Sequence, residues 1–142
     1  PALYQHLQAN PTELPMAIEE MLRWTCPLHY FRRTATRDTR IRDQAIREGE
    51  RVVMLYSSAN FDEDVFASPM DFDIARDPNP HLAFGHGIHL CLGANLARLE
   101  ARVFFEELFH HFAGIEETGE PVYIRSNIIH GFKQMPVKLL PG

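Results

Sequence analysis

Phe84-Gly85-His86-Gly87-Ile88-His89-Leu90-Cys91-Leu92-Gly93 runs directly into Ala94-Asn95-Leu96-Ala97-Arg98, and the reading of this stretch decides the fold. A single cysteine stands in a glycine-relieved loop at the mouth of a helical pattern. The six fixed types in Phe-Gly-x-Gly-x-His-x-Cys-x-Gly meet by chance in about one chain of this size in a million. At a helix N-terminus the backbone N–H groups lack intrahelical partners and the macrodipole is positive, so an anionic sulfur is favoured there. The expected chemistry of Cys91 is therefore that of a thiolate presented to a metal.

The neighbouring positions extend this reading. Gly85 and Gly87 permit positive φ, which lets the loop curl back over its ligand, and Gly93 lets a flat cofactor come close to the backbone. Phe84 shields the site from water. His89, two residues before the cysteine, is placed to donate a charge-assisted hydrogen bond to a carboxylate on the rim of such a cofactor. Downstream, Leu92, Leu96, Leu99, Val103, Phe104, Leu108 and Phe112 keep helical spacing and predict the longest helix of the chain, with its aromatic stripe in the core. Gly114 is read as the residue that ends this helix, as its C′ cap.

Two other chemistries are available to the same residues. Zinc on His86, His89 and Cys91 has suitable donors, but a structural zinc site takes four converging ligands and the second pair is missing from the spacing. A cysteine nucleophile with His89 as base is the other. Residues two apart in such a loop point different ways, and no oxyanion site is evident.

Upstream, Leu3 to Ala9 reads as helix, Asn10-Pro11 as a break, and Pro15 as the first turn of a second helix with Ile18, Met21, Leu22 and Thr25 on one face. Glu20 and Arg23 lie three apart on it and can pair, which matters little on a surface and much in a core. Leu28 to Thr36 and Arg51 to Tyr56 read as strands flanking a turn at Glu48-Gly49-Glu50. Phe61 to Ala83, punctuated by Asp71-Phe72-Asp73 and Asp77-Pro78-Asn79-Pro80, reads as an ordered meander, and Pro121 to Leu140 as short strands around Gly131. The fold class is mainly α with small β-sheets (α+β), in one domain over 1–142.

The chain has 142 residues, 45% hydrophobic and 23% charged, with a net charge of -5. That balance, without any Lys/Arg run, speaks against nucleic acid as a partner. No apolar stretch approaches the roughly 18 residues of a membrane span and nothing reads as a signal peptide, so the cytoplasm is the default location. Cys26 and Cys91 lack zinc-pair spacing and a disulfide-rich setting, which suits a reducing compartment. Cys26 reads as a small buried residue. A start at Pro1, inside what reads as a helix, suggests a fragment or truncated product.

Taken in order, Glu20-Met21-Leu22-Arg23, Arg33 opening Arg33-Thr34-Ala35-Thr36-Arg37-Asp38, Arg76 in Phe72-Asp73-Ile74-Ala75-Arg76, and the loop through Cys91 to Arg98 resemble the cytochrome P-450 monooxygenases in their soluble bacterial form. The resemblance implies the C-terminal, proximal-side portion of that fold. It also implies haem b as cofactor, with Cys91 as axial iron ligand. Phe84, Gly85, His89, Gly93, Ala97 and Arg33 would bind the haem, with Arg33 on a propionate and Ala97 against the haem face. Glu20, Arg23 and Arg76 would form a buried network with no bond chemistry. Leu28 and His29 would lie near the substrate.

The implied activity is insertion of one oxygen atom from O2 into an unactivated C–H bond of a small hydrophobic substrate. A ferredoxin or flavodoxin would supply electrons, docking on a basic patch of Arg76, Arg98 and Arg102. Similarity around Tyr30-Phe31-Arg32-Arg33 and Arg125-Ser126-Asn127 leans towards steroid or terpenoid substrates. The family's upstream half, with its oxygen-activating distal helix, has no counterpart here. Ala113-Gly114-Ile115-Glu116-Glu117-Thr118 imitates that helix's pattern, but it follows the cysteine and its threonine is one place late. The alternative to a monooxygenase is a truncated, non-catalytic haem-binding or inert fragment.

Overall fold

The computed structural model describes residues 2–142. Helix α1 (Ala2–Ala9) leads through a 3-10 turn at Pro11–Glu13 into α2 (Leu14–Thr25), whose first turn holds Pro15 where a missing N–H costs nothing. Cys26 closes α2 in the left-handed region at φ 38°, its N–H bonded to the Leu22 carbonyl. It is fully buried, as expected of a small apolar side chain.

The inward face of α2 differs from the expected one. Leu14, Ala17 and Ile18 are buried together with Glu20 and Arg23, whereas Thr25 is exposed and Met21 and Leu22 are only half-buried. The ionic pair takes the interior because its partners on the meander satisfy it there, which apolar periodicity does not register.

Strand β1 (Tyr30–Thr34) pairs antiparallel with β4 (Arg51–Leu55), setting Arg33 opposite Val52. The first strand is shorter than Leu28 to Thr36; Leu28 instead bridges to Ile129 in the C-terminal region. Between them lies a hairpin absent from the sequence reading, β2 (Thr39–Ile41) with β3 (Gln44–Ile46). Its three-residue, mostly exposed strands carry too little alternation to be seen. A short helix α3 (Tyr56–Ala59) follows β4, and residues 61–83 form the expected meander of turns.

Helix α4 (Ala94–His111) is the longest, as the spacing predicts, but its apolar stripe is not core. Leu92, Leu96, Leu99, Val103 and Phe104 are exposed, and Leu108 is the one member of the series that is buried. Spacing determines which residues share a face; burial needs an element packed on that face, and the described residues supply none there.

Gly114 is not a helix cap. The chain leaves α4 at Phe112, already extended at φ -133° and ψ 139°, and continues as β5 (Phe112–Glu117), paired with β8 (Val137–Pro141). Gly114 stands in that strand opposite Leu140. The orphan carbonyls are satisfied from a distance: the Tyr4 hydroxyl donates to Leu108 O at 3.0 Å and Phe112 O at 2.8 Å, and the Gln8 amide donates to Phe109 O at 2.8 Å. The Gly-Ile-Glu-Glu-Thr segment is thus strand and its exit, with no kinked helix. Strands β6 (Val122–Tyr123) and β7 (Phe132–Gln134) complete the C-terminal region. Among the described residues no helix is long and apolar enough to cross a membrane.

Candidate cofactor site

The loop between the meander and α4 is built as a tight return. Gly85 and Gly87 take φ of 73° and 67°, a 3-10 turn spans Gly87–His89, and the Cys91 N–H donates to Phe84 O at 2.9 Å. The Cys91 carbonyl in turn accepts the Ala94 N–H at 3.2 Å, so the cysteine is tied at once to the loop and to the first turn of α4. Gly93 has an ordinary negative φ of -86°, and a Cβ there would lie 3.9 Å from the Cys91 sulfur.

A side chain at Gly85 would meet backbone strain. The left-handed conformation costs a non-glycine residue about 1–2 kcal/mol. The added Cβ would sit at ordinary contact distance, 3.4 Å from the His89 carbonyl oxygen and 3.6 Å from the Tyr56 hydroxyl. Gly87 shares the positive φ and has open space around it. Gly85→Ala and Gly87→Ala are therefore each expected to lower the thermal midpoint by several degrees, as read by calorimetry; unchanged midpoints would remove the strain argument.

Cys91 is exposed and lines a cavity of about 400 Å³ with Pro27, Leu28, Phe31, Arg33, Tyr56, Ala83, Phe84, Gly85 and His89. An adjoining cavity of about 280 Å³ shares Arg33, Tyr56 and His89 with it. The structure thus brings Cys91, Phe84, Gly85 and His89 of the loop together with Leu28 and Arg33, more than fifty positions earlier. Gly93, Ala97 and His29 do not line the cavity; the His29 ring instead stacks on His130 at 5.0 Å. Among the described residues no three His, Cys, Asp or Glu side chains converge as a metal cage, which leaves the zinc reading without a site.

Behind the loop, Glu20 and Arg23 are both 0% exposed. Arg23 Nε and Nη2 donate to the two carboxylate oxygens of Glu20 at 2.7 Å each, and Arg23 Nη1 donates to the Asn60 and Pro69 carbonyls at 2.8 and 2.9 Å. Arg76 Nε reaches Glu20 Oε2 at 3.2 Å, while the Asp73 N–H and the Asn79 amide donate to the same carboxylate at 2.9 and 3.0 Å. Burial alone would raise the Glu20 pKa, but the Arg23 hydrogen bonds, the Asp73 N–H and the two guanidinium charges win and hold it below its ordinary 4.5.

Asn60 was not singled out by the sequence reading. Fully buried, it donates from Nδ2 to Arg23 O at 3.1 Å and accepts the Leu82 N–H at 2.7 Å, joining the network to the approach of the cysteine loop. No local pattern marks it, because its partners lie 37 and 22 positions away.

The expected basic patch does not form. The Arg76 side chain is 8% exposed and bound to Glu20, and Arg98 is held by Glu19 at 2.6 Å. Burial thus withdraws Arg76 and the Glu19 carboxylate pairs with Arg98, and Arg102 remains at the surface, 3.6 Å from Glu106.

An apolar cavity lined by a cysteine on a glycine-turned loop, together with an arginine and a histidine, has the donor set for a flat, apolar, anionic-edged iron cofactor held by sulfur. The family model for cytochrome P-450 matches residues 5–138, and the chain belongs to that family. It is 44% identical over 131 residues to cytochrome P-450-terp of Pseudomonas sp, covering 92% of this chain and 31% of that protein. It is 50% identical over 124 residues to the methyl-branched lipid omega-hydroxylase of Mycobacterium tuberculosis, covering 87% of this chain and 29% of that protein. The crystal structure of the versatile cytochrome P-450 enzyme CYP109B1 from Bacillus subtilis superposes with a TM-score of 0.92 at 45% identity, covering 98% of this chain and 38% of that one. The chain spans about a third of the length of the curated relatives it matches. The family's cofactor is haem b, and the fold is the expected mixture of helices and small sheets.

Proposed function

We propose that this chain forms the thiolate side of a haem-dependent monooxygenase site, with Cys91 as the axial iron ligand. The observation that carries the reading is the exposed Cys91 on the lining of an apolar cavity that Arg33 and His89 also line. Arg33 and His89 would hold the cofactor's carboxylates by charge-assisted hydrogen bonds, and Phe84 and Gly85 would wall the cofactor beside Cys91. Gly93 and Ala97 allow close approach at the start of α4. Leu28, on the cavity wall, is the substrate-side contact; His29, stacked on His130, does not line that cavity. Glu20, Arg23 and Arg76 hold the backbone behind the loop and move no proton.

When bound, haem supplies dioxygen activation and transfer of one oxygen atom into a C–H bond, and thiolate ligation favours O–O cleavage. The apolar walls suit a small hydrophobic substrate. A ferredoxin or flavodoxin is the proposed electron donor, and a cytoplasmic setting accords with the two free cysteines. With Arg76 buried and Arg98 paired to Glu19, Arg102 is the residue through which docking is tested. Arg102→Glu is expected to weaken the affinity for an acidic ferredoxin several-fold at low salt, with the difference shrinking as salt rises; unchanged affinity in a binding titration rejects docking at this face.

The test of the whole reading is the reduced carbon monoxide spectrum of the haem-loaded protein: a thiolate-type band is expected, and its absence rejects the site. A second reading, a non-catalytic haem-binding or inert chain, draws on the bare stripe of Leu96, Leu99, Val103 and Phe104 on α4. It predicts no oxygen uptake with a reduced ferredoxin even where the band is present.

A further inference from the structure

Helix α2 carries adjacent carboxylates, Glu19 and Glu20, and successive residues on a helix point about 100° apart. Glu20 faces the meander. Glu19 faces α4 and the two arms of the cysteine loop. Its Oε1 accepts from Arg98 Nε at 2.6 Å and its Oε2 from Arg98 Nη2 at 2.8 Å, a two-pronged fit of a planar guanidinium to a carboxylate. The same Oε2 lies 3.0 Å from His81 Nε2. His81 Nδ1 accepts the Ala83 N–H at 3.2 Å, so the proton sits on Nε2 and is donated to Glu19. The His81 side chain is 3% exposed.

These bonds converge on the thiol loop. His81 precedes Phe84 by three residues and Arg98 follows Cys91 by seven. The Arg98 guanidinium lies over the Phe84 ring at 4.7 Å, and the Phe84 carbonyl is the acceptor for the Cys91 N–H. One carboxylate therefore grips both arms of the loop and, through the stacked guanidinium, the residue that positions the Cys91 backbone.

We propose that Glu19, His81 and Arg98 form a clamp separate from the Glu20 network, in which Glu19 is a positioning residue that fixes Phe84 and thereby the placement of the Cys91 sulfur beneath the haem. This deepens the haem-thiolate reading and rests on it. Burial alone would raise the Glu19 pKa, but the hydrogen bonds from Arg98 and His81 and the Arg98 charge win and hold it at about 2. The clamp is charged throughout the physiological range: its contribution is complete above pH 4.5 and is lost only as pH falls towards 2.

The test uses the haem-loaded protein and the lifetime of its thiolate-type band in the reduced carbon monoxide complex at fixed temperature. Glu19→Gln keeps the shape but removes the charge and one acceptor, and is expected to shorten that lifetime about three- to tenfold, with Glu19→Asp in between. Glu19→Gln combined with Arg98→Gln should cost less than the sum of the two, because both break one clamp. Leu7→Ala, on the buried face of α1, serves as a variant that lowers the melting temperature without touching the loop. A wild-type lifetime in Glu19→Gln, or an equal loss in a comparably destabilised Leu7→Ala, overturns the inference alone. A wild-type protein with no thiolate-type band overturns the haem reading and this inference with it.

Discussion

Replacing Cys91 by alanine is expected to abolish the thiolate-type band of the reduced carbon monoxide complex and with it all oxygen transfer. The argument is one of donors. Cys91 is the cavity's sulfur, exposed on its lining, and the only other cysteine, Cys26, is buried beyond reach. Burial pushes the Cys26 thiol up to about 11, so it stays protonated at neutral pH and supplies no anionic ligand. Cys26→Ala should accordingly leave the band in place. A serine at position 91 is a stringent companion, because it keeps the size of the side chain while its hydroxyl gives up its proton far less readily. Optical spectra of the three variants decide the matter: a thiolate-type band surviving in Cys91→Ala would end the haem-thiolate reading, however well the fold matches.

The second large effect is expected from Glu20→Ala. Arg23 is fully buried and Arg76 nearly so, and both direct guanidinium nitrogens at this one carboxylate. Removing a partner from a buried pair leaves an uncompensated charge in the interior, a loss of about 3–5 kcal/mol. A domain's whole stability is about 5–15 kcal/mol, so the variant should be largely unfolded or melt far below the parent. By contrast Glu13→Ala, which removes an exposed pair with His6, should cost about 0–1 kcal/mol. Urea titrations measure both, and comparable midpoints for the two variants would show that the Glu20 network does not hold the fold.

The same carboxylate gives the stability a pH dependence of defined sign. With its folded pKa below the ordinary 4.5, Glu20 contributes fully above that value and its contribution falls away as pH drops through the lower, folded value. The parent should therefore lose stability on acidification more steeply than a Glu20→Gln variant, which has no carboxylate to protonate at that position.

The parts of this architecture that were legible are those written in short spans. The cysteine loop declares itself through six residue types within ten positions, and its glycines take the positive φ their placement implies. Glu20 and Arg23 are one helical turn apart, so their pairing follows from spacing; Arg76, 56 positions from Glu20, was reachable because its segment resembles the family's. Asn60, His81 and Glu19 carry no such signature. Each is a common polar residue, and what makes it matter is a partner 22 to 79 positions away. The end of α4 was misread for the same reason. Gly114 looks like a cap, but Tyr4 and Gln8, about a hundred residues earlier, satisfy the carbonyls and let the chain pass straight into strand.

What the amino-acid order determined by itself was the list of elements and the chemistry of the loop: period sets which residues share a helix face, and glycine, proline and cysteine act where they stand. Which face is covered was settled only in three dimensions, as with the α4 stripe, whose spacing is helical and whose leucines lie bare. So was the partner of each charge, with Arg98 bound to Glu19 rather than left unpaired. The reason is physical. Backbone preference is local, whereas burial and ion pairing depend on what another segment brings to the same point in space.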